Sequence, residues 1–273
     1  LRERTAFPRA LIEKLPNLKH IFMTGARATS LDDKAATERG IAISNTPGGG
    51  SNAPTAELCW ALLMMCARDL AKAERVIRSG GWHDGVKGMV VLEGKRLGVI
   101  GLGKLGSRVA GYAKAFGMDV VAWSQNLTEE KAKAGGARYV SKDELLETSD
   151  FVSIHLVLSD RTRGLLKAED LARMKKTAML INTSRGPIVE EAALIAALRN
   201  GTIAHAGLDV YDREPMQPGH PLTKLDNVTL IPHLGYVVEE SYQHFHDATI
   251  ANVEAWLDGK PINVINPEAL KKA

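Results

Sequence analysis

The stretch that decides the fold spans residues 99–106 and reads Val-Ile-Gly-Leu-Gly-Lys-Leu-Gly. Its three glycines follow a short apolar run and precede a helical pattern. The first allows a tight turn, the second lets a phosphate group approach the backbone, and the third lets the helix pack closely on the strand. The N–H groups at the start of that helix then attract an anion. This stretch therefore predicts a dinucleotide-binding turn whose contact residues are Gly101, Gly103, Lys104, Leu105 and Gly106.

The residue after the second strand of such a domain normally distinguishes the two nicotinamide dinucleotides. That strand covers residues 119–123, and Ser124 stands where an acid would hold the ribose hydroxyls. An acid would repel a 2′-phosphate, so its absence removes that repulsion, but no arginine follows immediately to attract the phosphate. The sequence therefore predicts that Ser124 contacts the cofactor, and it leaves both NAD and NADP open.

Short apolar runs alternate with helical patterns along the chain, which is typical of a parallel α/β fold. After Lys95 the predicted strands are enough for a complete doubly wound Rossmann sheet. These six strands are 97–100, 119–123, 151–156, 178–182, 204–210 and 227–231. The helices predicted in this part are 106–116, 142–147, 171–174, 190–200 and 239–257.

The part of the chain before Lys95 contains fewer predicted elements. They are helices at 8–15, 31–39 and 54–79 and strands at 18–23 and 41–44. This is too little for an independent domain, and the sequence begins with Leu1 rather than Met. We therefore expect that a start of about 50 residues, roughly two βα units, is absent and that the first domain is truncated.

Charge and hydropathy argue against several classes of protein. The 35 Lys and Arg nearly balance the 32 Asp and Glu, and no basic stripe is present, so we expect no nucleic-acid partner. The longest apolar run, 58–67, is shorter than the roughly 18 residues of a membrane span, so we expect no membrane partner. Cys59 and Cys66 lack a nearby histidine, so we expect no metal site but buried thiols in a reducing cytoplasm.

Several motifs occur in a fixed order, and together they resemble one family. They are NTPGGGSNAPTAELCWALLM (45–64), GLGKLG (101–106), INTSRGPIVEEAAL (181–194), AGLDVYDREP (206–215) and IPHLGY (231–236). The chain resembles the D-isomer-specific 2-hydroxyacid dehydrogenases, which include phosphoglycerate, glyoxylate/hydroxypyruvate, D-lactate and formate dehydrogenases. The resemblance implies a Rossmann domain, a smaller flavodoxin-like substrate domain, and an oxidoreductase that interconverts a small 2-oxo acid and its D-2-hydroxy acid with NAD or NADP.

By this resemblance, Arg185, Glu214 and His233 are the catalytic residues. Arg185 would grip the substrate carboxylate and polarise the adjacent carbonyl group. In the direction of reduction, His233 would give its proton to the carbonyl oxygen as hydride arrives from the nicotinamide. Glu214 would orient the histidine ring and favour its protonated form.

The resemblance also assigns binding residues around this set. Those implied to contact the cofactor are Thr55, Thr183, Ser184, Asp209 and Gly235. Those implied to bind the substrate, besides Arg185, are Gly25, Ala26 and Arg27. Two of them keep an alternative, because Asp209 also suits a turn cap and Arg27 also suits a surface or cofactor-phosphate role.

The resemblance further implies two domains with the active site in the cleft between them. Residues 1–72, completed by 241–273, would form the substrate domain, and residues 73–240 would form the NAD(P)-binding domain. The helix predicted over 54–79 is similar to the one that relatives use in pairing. We therefore expect a homodimer.

One alternative function has the same fold, because some relatives are dinucleotide-sensing co-regulators. The intact set of Arg185, Glu214 and His233 favours an enzyme instead. Tyr236 is bulky and lies close to the inferred site in the sequence. The identity of the 2-oxo acid therefore stays open.

Overall fold

The computed structural model describes residues 1–2, 5–26, 28, 30–47, 52–86 and 89–271. Its strands are β1 (His20–Met23), β2 (Ala42–Asn45), β3 (Arg96–Ile100), β4 (Asp119–Trp123), β5 (Arg138–Tyr139), β6 (Phe151–Ile154), β7 (Met179–Asn182), β8 (His205–Leu208) and β9 (Val228–Leu230). Its helices are α1 (Arg9–Ile12), α2 (Asp33–Glu38), α3 (Ala53–Ala67), α4 (Leu70–Arg78), α5 (Lys104–Ala115), α6 (Glu129–Ala134), α7 (Lys142–Thr148), α8 (Ala168–Arg173), α9 (Glu191–Arg199) and α10 (Glu239–Leu257). No helix within the described ranges is both long and apolar enough to cross a membrane.

The described residues form a large, seven-stranded sheet in the order β5-β4-β3-β6-β7-β8-β9. All of its pairs are parallel. Within this sheet, the first strand along the chain is β3. The next strands, β4 and β5, extend the sheet to one edge, and β6 then pairs with the other side of β3. This reversal beside β3 is the doubly wound order, so the predicted Rossmann fold is confirmed.

Apolar clusters cover both faces of the large sheet. Neighbouring residues of one strand contribute to opposite clusters, as Val120 and Val121 do, because successive side chains of a strand point to opposite faces. The strands β6, β7 and β8 are buried at every residue. Parallel strands that are covered on both faces are mainly apolar, and each of these three strands has only one polar residue: Ser153, Asn182 or His205.

The strand β5 and the helix α6 were missing from the sequence prediction, which expected six strands. β5 contains only Arg138 and Tyr139, both exposed, and pairs with β4 at the edge of the large sheet. The helix α6 reads Glu-Glu-Lys-Ala-Lys-Ala and has a single buried residue, Ala132. Neither segment carries enough apolar residues to show a period, so the prediction was one strand short.

The single helix predicted over 54–79 is wrong, because α3 and α4 occupy this segment. Asp69 between them has a φ of 47°, in the left-handed region that interrupts a helix. The two helices also differ in environment: α3 buries residues such as Leu62 and Leu63, whereas no residue of α4 is buried. The helical pattern over 54–79 therefore did not indicate the change from a buried helix, α3, to an exposed one, α4.

The chain divides into two compact units, Asn52–Gly235 and a second unit made of Leu1–Ser51 with Tyr236–Ala273. These bounds differ from the predicted division into 1–72 with 241–273 and 73–240. The difference arises mainly from α3, whose buried residues pack in one cluster with β3 and α5 residues such as Leu97 and Val109. This helix therefore belongs with the large sheet.

In the smaller unit, β1 and β2 pair in parallel, with His20 opposite Ala42. The C-terminal segment completes this unit through Asn266, which is 4% exposed. Its amide oxygen accepts the N–H of Ile43 at 2.8 Å, and its amide nitrogen donates to the carbonyl of Ile41 at 3.0 Å and the hydroxyl of Thr37 at 2.8 Å. One side chain thus satisfies backbone groups at the edge of β2.

The substitution Asn266→Ala tests this connection. It should lower the free energy of unfolding by about 2 kcal/mol, because it leaves buried backbone groups without partners. Urea denaturation measures the change, and Asn17→Ala, at an exposed position, is the matched control. Equal stability of the two variants would contradict the importance of these bonds.

Candidate functional site

The turn after β3 has the geometry that the glycine pattern predicted. Gly101 has a φ of 97°, and its N–H donates to the carbonyl of Trp123 at 2.9 Å. A Cβ at this position would lie 2.7 Å from the carbonyl oxygen of His155. A Cβ on Gly106 would overlap the carbonyl oxygen of Gly101. Both glycines are therefore required by contacts within the protein.

Gly103 differs from the other two glycines of the turn. It is the N-cap of α5 with a φ of −87°, and a Cβ built on it meets no atom within 4 Å. Neither the backbone conformation nor the packing of the described residues thus requires glycine here. An open position at a helix N-terminus fits a pyrophosphate group, which the first N–H groups of α5, from Lys104 onward, would bind.

A cavity of about 600 Å³ opens beside this turn. Its lining residues are Gly101, Leu102, Gly103, Ser107, Ser124, Asn126, Leu127, Lys131, Ala134, Gly135, His155, Leu156 and Val157. Of the residues that the sequence analysis assigned to the dinucleotide turn and its ribose position, Gly101, Gly103 and Ser124 line this cavity, whereas Lys104, Leu105 and Gly106 are not among its lining residues. That analysis missed Asn126 and Lys131, which lie beyond the end of β4, although the rule that ligands bind at the carboxyl ends of strands pointed to this loop.

The sequence analysis placed residues 155 and 156 at the end of the strand predicted over 151–156 and gave them no binding role. His155 lines the cavity, and its Nε2 lies 2.6 Å from the hydroxyl of Ser153, which lies 3.3 Å from the thiol of Cys59. Burial lowers the pKa of His155 to about 4. His155 is therefore uncharged at neutral pH where it lines the cavity. The thiols of Cys59 and Cys66 are free and buried.

His233 and Glu214 form a close pair in the large unit. The Nδ1 atom of the histidine lies 2.6 Å from Oε2 of the glutamate, and the side chains are 11% and 15% exposed. The other carboxylate oxygen, Oε1, accepts the N–H of Tyr211 at 3.0 Å. The carboxylate is thus fixed by the backbone of its own loop, and it fixes the orientation of the histidine ring.

Asp209 holds the turn that follows His233. One carboxylate oxygen accepts the N–H of Leu234 at 2.6 Å, and the other accepts the N–H of Gly235 at 3.0 Å. The turn-cap role that the sequence left open for Asp209 is therefore present. Because this residue is completely buried, desolvation raises the pKa of its carboxyl to about 6, although the two backbone bonds and His233 oppose the shift.

Thr55 joins the same group, since its hydroxyl donates to the carbonyl of Gly235 at 2.7 Å. His233 itself has a φ of 55°. A left-handed conformation is unusual for histidine and needs support from its surroundings. The bonds to Leu234, Gly235 and the backbone carbonyl of Ile231, which accepts the N–H of His233 at 3.2 Å, provide that support.

Arg185 follows β7 in a loop that Asn182 organises. The amide oxygen of Asn182 accepts the N–H of Ser184 at 3.0 Å, and its amide nitrogen donates to the carbonyl of Arg185 at 3.0 Å. The hydroxyl of Ser184 donates to the carbonyl of Ile154 at 2.8 Å, and Thr183 is buried. The sequence analysis missed Asn182, although an asparagine that ends a strand before a polar loop is a recognised turn signal.

Two of the predicted substrate-binding residues lie in the smaller unit. The N–H of Gly25 donates to the hydroxyl of Thr46 at 2.8 Å, and the carbonyl of Ala26 accepts the side-chain amide of Asn45 at 2.9 Å. A substrate carboxylate would have to replace the hydroxyl of Thr46 to use the N–H of Gly25. Arg27 lies outside the described residues.

Comparisons with known proteins show which proteins this chain is similar to. The family model for "D-isomer specific 2-hydroxyacid dehydrogenase, NAD binding domain" matches residues 60–235. A glyoxylate reductase from Aeropyrum pernix is 42% identical over 269 residues, which cover 96% of this chain and 80% of that protein. A phosphoglycerate oxidoreductase structure from Vibrio cholerae O395 is 35% identical with a TM-score of 0.89, covering 94% of this chain and 82% of that one. A glyoxylate reductase structure from Paecilomyes thermophila is 36% identical with a TM-score of 0.78, covering 95% and 79%.

Alanine substitutions in the turn separate the roles of its glycines. Gly106→Ala should lower the free energy of unfolding by about 2 kcal/mol, because the methyl group overlaps the Gly101 carbonyl. Gly103→Ala should cost less than about 1 kcal/mol, yet weaken NADH binding by about tenfold or more, since the methyl group would occupy the place of the pyrophosphate. Urea denaturation and calorimetric titration measure the two effects. Unchanged NADH affinity in Gly103→Ala would contradict the proposed phosphate position.

The raised pKa of Asp209 predicts a specific pH dependence of stability. This carboxyl titrates near pH 4 in the unfolded chain and near pH 6 in the folded protein. Its stabilising contribution is therefore complete below about pH 4 and is lost as the pH rises through 6. Relative to Asp209→Asn, the protein should lose on the order of 3 kcal/mol of unfolding free energy between pH 4 and pH 7.

Urea denaturation at both pH values measures this difference. Asp160→Asn, at an exposed position, is the matched control and should change stability by less than about 0.5 kcal/mol at either pH. A difference between the protein and Asp209→Asn that does not change with pH would show that Asp209 titrates alike in both states.

Proposed function

This chain belongs to the D-isomer-specific 2-hydroxyacid dehydrogenase family, and we propose that it reversibly reduces a small 2-oxo acid to the D-2-hydroxy acid with a nicotinamide dinucleotide. The observation that carries this proposal is the pair formed by His233 and Glu214, in which Nδ1 of the histidine lies 2.6 Å from Oε2 of the glutamate. A histidine that a carboxylate orients in this way suits general acid–base catalysis. A cofactor cavity in the same unit adds support.

The bound dinucleotide would supply the hydride, and the residues of this chain would do the rest. Arg185 would bind the carboxylate of the 2-oxo acid and polarise its carbonyl group. Protonated His233 would give a proton to the carbonyl oxygen while the carbonyl carbon receives the hydride. Because Nδ1 contacts Glu214, we assign the transferred proton to Nε2. The neutral ring would then take a proton from water, and Glu214 would stabilise the imidazolium that forms again.

The proposed roles of the other residues follow from their hydrogen bonds. Asp209 and Thr55 would hold the turn at Leu234 and Gly235, which carries the acid–base residue. Thr183 and Ser184, at the end of β7, would lie beside the cofactor. Gly25, Ala26 and Arg27 are proposed as further residues that bind the substrate.

We propose glyoxylate and hydroxypyruvate as the substrates to test first. The relative from Aeropyrum pernix is a glyoxylate reductase, and one from Blautia hydrogenotrophica that is 32% identical is a hydroxypyruvate reductase. Both compounds are small 2-oxo acids that a single arginine can bind through the carboxylate.

We also propose that the protein is a cytoplasmic homodimer. Large apolar side chains are exposed on α4 and in the segment that follows it, among them Ile77, which is 49% exposed, Trp82, which is 71% exposed, and Val91, which is 70% exposed. A second copy of the chain would cover such a surface. The free thiols suit a reducing compartment.

The substitution His233→Asn tests the proposed reaction. Asparagine tolerates the left-handed backbone at this position, so the turn should persist. The turnover number with glyoxylate or hydroxypyruvate should fall by about 100-fold or more, while the affinity for the dinucleotide stays within about twofold. The absorbance decay of the reduced nicotinamide measures turnover, and fluorescence titration measures binding.

The control is His246→Asn, because the side chain of His246 is 70% exposed on α10. Pyruvate and phenylpyruvate extend the substrate series, with NADH and NADPH in parallel. Undiminished turnover in His233→Asn would refute the assignment of the acid–base residue. A protein that binds the dinucleotide but reduces none of the four acids would favour the dinucleotide-sensing function instead.

A further inference from the structure

The charge of the cofactor cavity is concentrated at one position. Among the described residues that line the cavity, Lys131 alone carries a charge, because burial keeps His155 neutral. No aspartate or glutamate lines the cavity within the described ranges. In dinucleotide-binding sheets the end of the second strand faces the adenosine ribose, and an acid there selects against a 2′-phosphate. Here Ser124 follows β4, which is the second strand of the large sheet.

The position of Lys131 is fixed by the packing of α6. The hydroxyl of Thr128 caps this helix by accepting the N–H of Lys131 at 3.3 Å. At the other end, a Cβ on Gly135 would lie 2.6 Å from Cδ2 of Leu102 and 3.1 Å from the hydroxyl of Ser107. The absence of a side chain at Gly135 thus lets α6 pack directly on the phosphate-binding turn. Lys131 lies one helical turn before that contact.

The surroundings of Lys131 leave its charge available to a ligand. Its ammonium group forms no ion pair with any described residue, whereas those of Lys142 and Lys175 pair with Asp170 and Asp150. Glu129 and Glu130 share its helix but do not line the cavity. Asn126 and Ser124 also line the cavity, and their neutral side chains can donate hydrogen bonds to phosphate oxygens.

We propose that Lys131, together with Ser124 and Asn126, forms a subsite for the 2′-phosphate of NADPH and gives this chain a preference for NADPH over NADH. This inference rests on the proposed function and names its cofactor. An ammonium group attracts the phosphate, the serine hydroxyl and the asparagine amide donate hydrogen bonds to it, and no lining carboxylate repels it.

Two nucleotides that differ only in the 2′-phosphate test this subsite without the nicotinamide. Calorimetric titration of the full chain with adenosine 2′,5′-bisphosphate and with 5′-AMP gives a ratio of affinities. We expect the bisphosphate to bind about tenfold more tightly at low ionic strength, and the ratio to decrease as salt increases. Lys131→Gln should reduce the ratio to about twofold or less, mainly by weakening bisphosphate binding.

Lys133→Gln is the matched control, because Lys133 lies on the same helix but does not line the cavity. It should keep the ratio of the unmodified protein. Ser124→Asp should reverse the preference, so that 5′-AMP binds more tightly. The ratio of the turnover efficiencies with NADPH and NADH should change in the same direction in each variant.

Equal binding of both nucleotides by the unmodified protein, or an unchanged ratio in Lys131→Gln, would overturn this inference. Failure of both nucleotides to bind would overturn it too. The proposed reaction is judged separately, because it requires turnover of a 2-oxo acid with either dinucleotide. A tenfold ratio with no turnover would refute only the reaction, and turnover with NADH alone would refute only the subsite.

Discussion

The close contact of backbone with backbone at Gly101 is the constraint on which the cofactor cavity depends. The N–H of this residue bonds the last residue of β4, and its Cα faces the carbonyl of His155 just after β6. The N–H of His155 in turn donates to the carbonyl of Ile100 at 2.8 Å. Three neighbouring strands therefore end at one point. Any side chain at Gly101 would force them apart, and the cavity walls would move with them.

A second constraint fixes the candidate acid–base group. The loop after β8 supplies two carboxylates with separate tasks, since Glu214 bonds the ring of His233 and Asp209 bonds the backbone that follows it. The hydroxyl of Tyr211, from the same loop, donates to the carbonyl of Ile231 at 2.8 Å. One loop thus orients the side chain of His233, holds the turn at Leu234 and bonds Ile231 just after β9. Such redundancy is what a residue with a left-handed backbone requires.

The large sheet could be predicted because its buried strands are short and mainly apolar, and because the glycine turn is expected only between a strand and a helix. The strand β5 and the break at Asp69 could not, since two exposed residues have no period and a left-handed residue has no sequence signature beyond its type. The pair of His233 and Glu214 followed from the resemblance to a family. The contribution of Lys131 depends on the packing of Gly135 against Leu102, a contact between segments about 30 residues apart in the chain that no local pattern encodes.

The discontinuous make-up of the smaller unit has a consequence for biosynthesis. Its strand β2 pairs with the segment near Val264, where the N–H of Ile265 donates to the carbonyl of Ile43 at 2.9 Å. The side chain of Asn266 accepts the N–H of Ile43 and donates to the carbonyl of Ile41. The unit that holds the large sheet, in contrast, is one continuous segment. During translation the residues of the large sheet leave the ribosome before residues 264–266 do. The strand β2 must wait, with its edge uncovered, until residues 264–266 have left the exit tunnel. A chaperone that binds unpaired strand edges would therefore have longer to bind at β2 than a pairing between neighbouring segments would allow.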